Sequence, residues 1–153
     1  MKAFLVHILI PLAVGGLAGL LTMNSMAVYG TVTKPPLAPP AWVFPVAWSI
    51  LYILMGIAAF LVWKSNAAPQ EKKKALWLYG IQLAVNFLWP ILFFNFHAFF
   101  AAFVWLVILL ILVAITMVAF GKITKAAAWL LVPYVLWLFF AAYLNIGVYL
   151  LNR

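Results

Sequence analysis

Five apolar runs occupy most of this chain, and each is about as long as the roughly 20 residues a helix needs to cross the hydrocarbon core of a bilayer. They lie at about 3–26, 42–63, 75–94, 99–120 and 126–151. In hydrocarbon every backbone N–H and C=O must be paired without water, and a helix does this within its own segment. The sequence therefore predicts an all-α membrane protein: a single domain over 1–153, built as a bundle of five transmembrane helices. The first run is too long for the apolar part of a signal peptide and lacks a clear small-residue cleavage site, so it reads as a retained span.

The connections carry the polar residues. Loop 1, about 27–41, contains Lys34-Pro35-Pro36-Leu37-Ala38-Pro39-Pro40, whose prolines exclude a helix and favour extended backbone. The stretch from Lys64 to Lys74 is the only strongly hydrophilic segment. Alternating the connections across a bilayer places Lys2, Lys64, Lys72, Lys73, Lys74, Lys122 and Lys125 on one side, and only Lys34 and Arg153 on the other. By the bias of basic loops toward the cytoplasm, the N-terminus is expected inside, and loop 1 and the C-terminus outside, a cell membrane of bacterial type. A net charge of +8 would suggest nucleic acid in a soluble protein. Here the charges edge apolar runs, so no nucleic-acid partner is expected.

Composition removes most catalytic chemistry. There is no cysteine and no aspartate, and Glu71 is the one acid. Disulfides, thiolate metal sites, paired carboxylates and Ser-His-Asp triads are excluded. His7 and His97 lie near span ends on opposite sides, too far apart to share a metal, so no metal and no obligatory cofactor are expected.

Polar and aromatic residues at membrane depth remain. Gln82, Asn86, Trp89 and Phe93 line one face of the third helix by their spacing. Trp48, Tyr52, Met55 and Ala59 do so in the second, and Trp137, Ala141, Leu144, Asn145 and Val148 in the fifth. Converging, these faces enclose an aromatic hollow with a few polar groups, the usual makeup of a small-molecule site. The same amides equally suit hydrogen bonds that join helices. Trp42, Trp63, Trp77 and Trp129 fall near span ends, as interfacial anchors do. Gly15 and Gly19 form a GxxxG that permits close helix approach, and Leu144, Tyr149 and Arg153 fit a weak sterol-contact pattern.

Three of these segments together, in order, resemble a known family. They are Pro39-Pro40-Ala41-Trp42-Val43-Phe44 with Trp48-Ser49-Ile50-Leu51-Tyr52, then Gln82 through Trp89 with Leu92-Phe93-Phe94, then Pro133-Tyr134-Val135-Leu136-Trp137 through Asn145. The chain resembles the translocator protein family (TspO/MBR, tryptophan-rich sensory proteins) over nearly its whole length. The resemblance implies a five-helix bundle with a pocket beneath loop 1, often homodimeric. It implies a receptor that binds tetrapyrroles such as protoporphyrin IX or haem, and benzodiazepine-site ligands, with membrane lipid around it. Carried over by motif position, the ligand-binding residues are Trp48, Tyr52, Asn86, Trp89, Trp137, Phe140, Ala141 and Leu144. Light-dependent porphyrin degradation or stress signalling belongs to the same expectation. In such degradation Trp48 would be the residue implicated, although no general acid or base here supports ordinary enzymatic turnover. A carrier of porphyrin or lipid-like molecules is the alternative, and a scaffold with a merely packed interior the third reading. Three positions depart from the family pattern: Leu37 where a loop tryptophan is usual, Pro45-Val46-Ala47 for Gly-Pro-Val, and Pro90 for Ser or Thr.

Overall fold

An apolar solvent leaves helices as the only economical backbone, and the computed structural model, which describes all 153 residues, is helical throughout its spans. Helix α1 is Lys2–Thr22, prolonged by a 3-10 turn, Met23–Ser25. The short α2, Val28–Thr31, opens loop 1. Helix α3 is Val43–Lys64, and α4 is Pro69–Pro90, prolonged by a π-helical turn, Ile91–Asn95. Helix α5 is Phe99–Ile123, α6 is Lys125–Leu130 and α7 is Val132–Asn152. Five helical stretches are thus long and apolar enough to cross a membrane: Lys2–Ser25, Val43–Lys64, Pro69–Asn95, Phe99–Ile123 and Lys125–Asn152.

Two boundaries differ from those read off hydropathy. The third helix starts at Pro69 rather than near 75. Apolarity marks the membrane, not the helix: Pro69 sits at the first helical turn, where its missing N–H costs nothing, and Glu71 and the lysines that follow are good helix formers. The fifth span is interrupted at Leu131, between α6 and α7. Pro133 cannot extend α6, because it lacks the donor and its ring crowds the preceding turn. In the first turn of α7 it is harmless.

Helices α1 and α3 run antiparallel, with Phe4 edge-on to Phe60 at 5.2 Å. Their approach is set by glycine. A Cβ on Gly56 would lie 2.6 Å from the His7 carbonyl oxygen, and one on Gly15 would lie 2.1 Å from the Tyr52 ring. Helix α4 packs on α5, α5 on α7, and α6 fills the space between α3 and α5. Ala58, Val62, Leu106, Leu109, Phe120 and Leu138 form the dry centre. Helix α1 stands at the periphery, burying only Pro11, Ala18 and Thr22. The antiparallel order collects the seven basic residues Lys2, Lys64, Lys72, Lys73, Lys74, Lys122 and Lys125 at one end of the bundle, and leaves Lys34 and Arg153 at the other.

Loop 1 is tied to the end of α7. Thr33 donates its N–H to Asn152 Oδ1 (2.9 Å) and receives Asn152 Nδ2 on its carbonyl (2.7 Å). Tyr143 donates its hydroxyl to the Pro36 carbonyl, and Tyr29 donates to that of Pro39, both at 2.6 Å. Burial pushes the Tyr29 phenol above its ordinary value, so the neutral donor form is the one the fold favours. Pro35 rests on Gly147, where a Cβ would come within 2.5 Å of its ring.

Candidate ligand cavity

Glycines on one helix and aromatic rings on two others leave a hollow at the end of the bundle opposite the lysines. A cavity of about 330 Å³ is lined by Leu12, Gly15, Gly16, Gly19 and Thr22 of α1, by Phe44, Trp48 and Tyr52 of α3, and by Asn86, Trp89 and Pro90 of α4, with Phe94 of the π turn. Gly16 and Gly19 present no Cβ to the space, and nothing lies within 4 Å of where one would be. The absence of side chains on this face of α1 is what makes room.

The hollow opens sideways. Its exposed lining residues are Gly16 and Gly19 on α1 and Pro45 and Ser49 on α3. Beside them stand Leu20 (67% exposed) and Val46 (52%), aliphatic side chains of the kind that meet acyl chains. The mouth therefore opens on the apolar outer surface of the bundle, between α1 and α3. The sequence predicts a pocket beneath loop 1, and this cavity lies at that end of the bundle, beside Met26 and Phe44. No residue of 27–41 lines the cavity, because the loop is drawn toward α7 by Asn152, Tyr143 and Gly147. Loop 1 reaches the site through Tyr29, whose ring meets Phe44 edge-on at 5.0 Å.

The floor is polar and closed. Tyr52 donates its hydroxyl to Asn86 Oδ1 (2.8 Å), Asn86 Nδ2 donates to the Tyr134 hydroxyl (2.7 Å), and Tyr134 donates to Gln82 Oε1 (2.8 Å). Trp89 Nε1 donates to Asn145 Oδ1 (2.9 Å), and Asn145 Nδ2 to the Phe99 carbonyl (2.7 Å). These bonds join α3, α4, α5 and α7, so the amides bind the helices together, and Asn86 also forms part of the cavity wall. Replacing Asn86 by leucine leaves the Tyr52 hydroxyl without an acceptor. We expect a loss of about 2 kcal/mol, near the upper limit of interhelical bonds measured in membranes. Denaturing-detergent titration followed by circular dichroism reads it directly.

Of the eight residues carried over by motif, Trp48, Tyr52, Asn86 and Trp89 meet in the cavity. Trp137, Phe140, Ala141 and Leu144 do not line it. Ala141 and Leu144 are buried in the core, where α7 faces its neighbours. Trp137 and Phe140 border a separate shallow groove between α3 and α7. Trp137 stands behind Trp48, edge to face at 6.4 Å, and Trp48 in turn stacks on Tyr52 at 5.6 Å. The Trp137 indole N–H is buried with no acceptor. The sterol pattern is dispersed around α7: Leu144 is buried, Tyr149 packs on Phe100 at 5.2 Å, and Arg153 is exposed past the helix end. Spacings of five and nine residues point in different directions on a helix, so the three share no face.

Sequence reasoning missed the α1 wall and Tyr134. The cluster Gly15-Gly16-x-x-Gly19 was the available sign of the first, and Tyr134 lies one turn before Trp137 on the same stripe. No charged side chain lines the cavity. Lys34, the cation of loop 1, is engaged locally, donating to the carbonyls of Tyr29 (2.9 Å) and Val32 (3.3 Å). Leu37, in the position where the family pattern has tryptophan, is 84% exposed and held at φ 70° in the Pro35–Ala38 turn. That left-handed backbone costs a residue with a Cβ roughly 1–2 kcal/mol.

Comparison with known proteins gives a consistent picture. The sequence model of the TspO/MBR family matches residues 7–151. The Tryptophan-rich protein TspO of Archaeoglobus fulgidus is 39% identical over 146 residues, 95% of this chain and 94% of that protein. The Tryptophan-rich protein TspO of Chlorobaculum tepidum is 40% identical over 124 residues, 81% and 78% respectively. The human Translocator protein is 39% identical over 122 residues, 79% and 72%.

Proposed function

The chain belongs to the TspO/MBR family, and from that premise we propose that it is a membrane receptor for flat, hydrophobic ligands of the tetrapyrrole class, protoporphyrin IX or haem. The observation that carries this reading is the cavity wall, with Trp48 stacked on Tyr52 facing an open glycine face, and Asn86 at the floor as a hydrogen-bonding group. Ring-on-ring contact supplies affinity, and one amide orients a polar edge. At about 330 Å³ the space is near the lower end for ligand pockets, so a macrocycle is held with part of its edge in the lateral mouth. A membrane-dissolved ligand would enter by that route without crossing loop 1.

The cavity contains no acid–base pair, so light-dependent breakdown of a bound porphyrin would draw its reactivity from the excited macrocycle, with Trp48 an indole in the cavity wall open to oxidation. Passage through the interior of the bundle is disfavoured because the floor is plugged. Tyr134 and Met55 are each 1% exposed below the Tyr52–Asn86 bond. The test is tryptophan-quenching titration of the purified protein with protoporphyrin IX, haem and cholesterol side by side. Saturable quenching by the tetrapyrroles and none by cholesterol is expected, and no saturable quenching by either tetrapyrrole rejects the reading.

The same proposal places the lysine-rich end in the cytoplasm, by the bias of basic residues toward that side. With no native cysteine, single substitutions report sidedness cleanly. Leu37→Cys is expected to react with a membrane-impermeant maleimide on intact cells, and Lys73→Cys only after permeabilisation. The reverse pattern inverts the topology.

A further inference from the structure

A second hollow lies at the opposite end of the molecule and plays no part in the cavity described above. Between the first turns of α4 and the last turns of α5 is a groove of about 550 Å³. Its length is aliphatic, with Leu78 on α4 and Ile115 and Val118 on α5, and Lys74 and Lys122 flank it at the polar end. From Ile115 to Lys122 the helix rises about 10 Å, enough for the first half of an acyl chain below a headgroup. The other cations nearby are partly engaged. Lys72 donates to the Trp63 carbonyl at 3.0 Å, and Lys64 lies over the Phe60 ring. Lys74 and Lys122 are left facing the groove from its two walls.

We propose that this groove is a binding site for one anionic phospholipid, with its phosphate between Lys74 and Lys122 and an acyl chain along Leu78, Ile115 and Val118. The occupant follows from the setting. The walls are aliphatic at membrane depth, which suits a lipid chain. Two lysines from different helices line its polar end at headgroup level, which suits an anion. Glu71 also lines the groove. Its carboxylate opposes a phosphate, so it limits affinity and disfavours lipids with more than one negative charge at this point. Lys74 and Lys122 are exposed, so their replacement leaves the helical packing intact.

Native mass spectrometry of the detergent-solubilised full chain, titrated with phosphatidylglycerol or phosphatidylcholine of matched chains, tests the site. Retention of a single phosphatidylglycerol is expected to exceed that of phosphatidylcholine roughly tenfold. Lys74→Ala with Lys122→Ala is expected to remove that preference, and Lys74→Arg with Lys122→Arg to keep it. Lys73→Ala with Lys125→Ala removes equal charge outside the groove, and is expected to leave the preference within about twofold. Millimolar inorganic phosphate is not expected to displace the lipid, because it leaves the aliphatic wall unfilled. Circular dichroism confirms that each variant is folded. Equal retention of the two lipids, an equal loss in the Lys73 and Lys125 variant, or displacement by free phosphate would each overturn the site: the first shows no recognition, the second diffuse attraction, the third a simple anion site.

Discussion

Gly56→Leu is expected to destabilise the bundle by about 3 kcal/mol, whereas Gly16→Leu on the facing helix costs almost nothing. The difference is what each new side chain meets. A Cβ at Gly56 would lie 2.6 Å from the His7 carbonyl oxygen and 2.7 Å from the Ile8 Cα, both main-chain atoms that no rotamer change can move. Helix α1 must shift bodily, and it is anchored chiefly by α3, since few of its own residues are buried. At Gly16 nothing stands within 4 Å. Gly15 is intermediate in kind. Its obstacle is the Tyr52 ring, which can swing away only by giving up the hydroxyl bond to Asn86. Displacement of α1 thus reaches the cavity floor through one tyrosine. Thermal unfolding in detergent ranks the three variants, and equal stability of Gly56→Leu and Gly16→Leu would show that α1 is not packed as described.

How far the sequence could lead depends on which physical constraint was written in it. Five spans were legible because bilayer thickness sets their length and the solvent sets their composition. The start of α4 was not, because Glu71 through Lys74 are polar and still helical. The GxxxG at Gly15 and Gly19 pointed to close packing, but the close approach uses Gly15 and Gly56, and Gly19 lies open. Spacing along one chain shows which residues share a face. It does not show which face of another helix comes opposite. For the same reason Trp48, Tyr52, Asn86 and Trp89 were legible as stripes and do meet, while the α7 stripe, equally regular, turns into the core and onto a different groove. Loop 1 was legible as extended and proline-bound. Its attachment to α7 depends on Asn152 and Tyr143, more than a hundred residues away, and no local pattern announces it.

Trp48→Ala is expected to weaken protoporphyrin IX binding about tenfold, or roughly 1.4 kcal/mol, by removing an indole face from the cavity wall. Trp137→Ala is expected to weaken it by only about threefold, since this ring does not line the cavity and acts by holding Trp48 edge-on at 6.4 Å. The two losses should not add. Once Trp48 is gone, Trp137 has nothing left to position, so the double variant should bind about as well as Trp48→Ala alone. Had both rings touched the macrocycle, as motif position implied, the losses would combine to about thirtyfold. A double-mutant cycle on quenching titrations, with haem absorbance as a readout that does not depend on indole emission, separates the two cases. Additive losses would place Trp137 against the ligand and require α7 to close on the cavity when it is filled. A double variant no weaker than Trp48→Ala would confine the site to α1, α3 and α4.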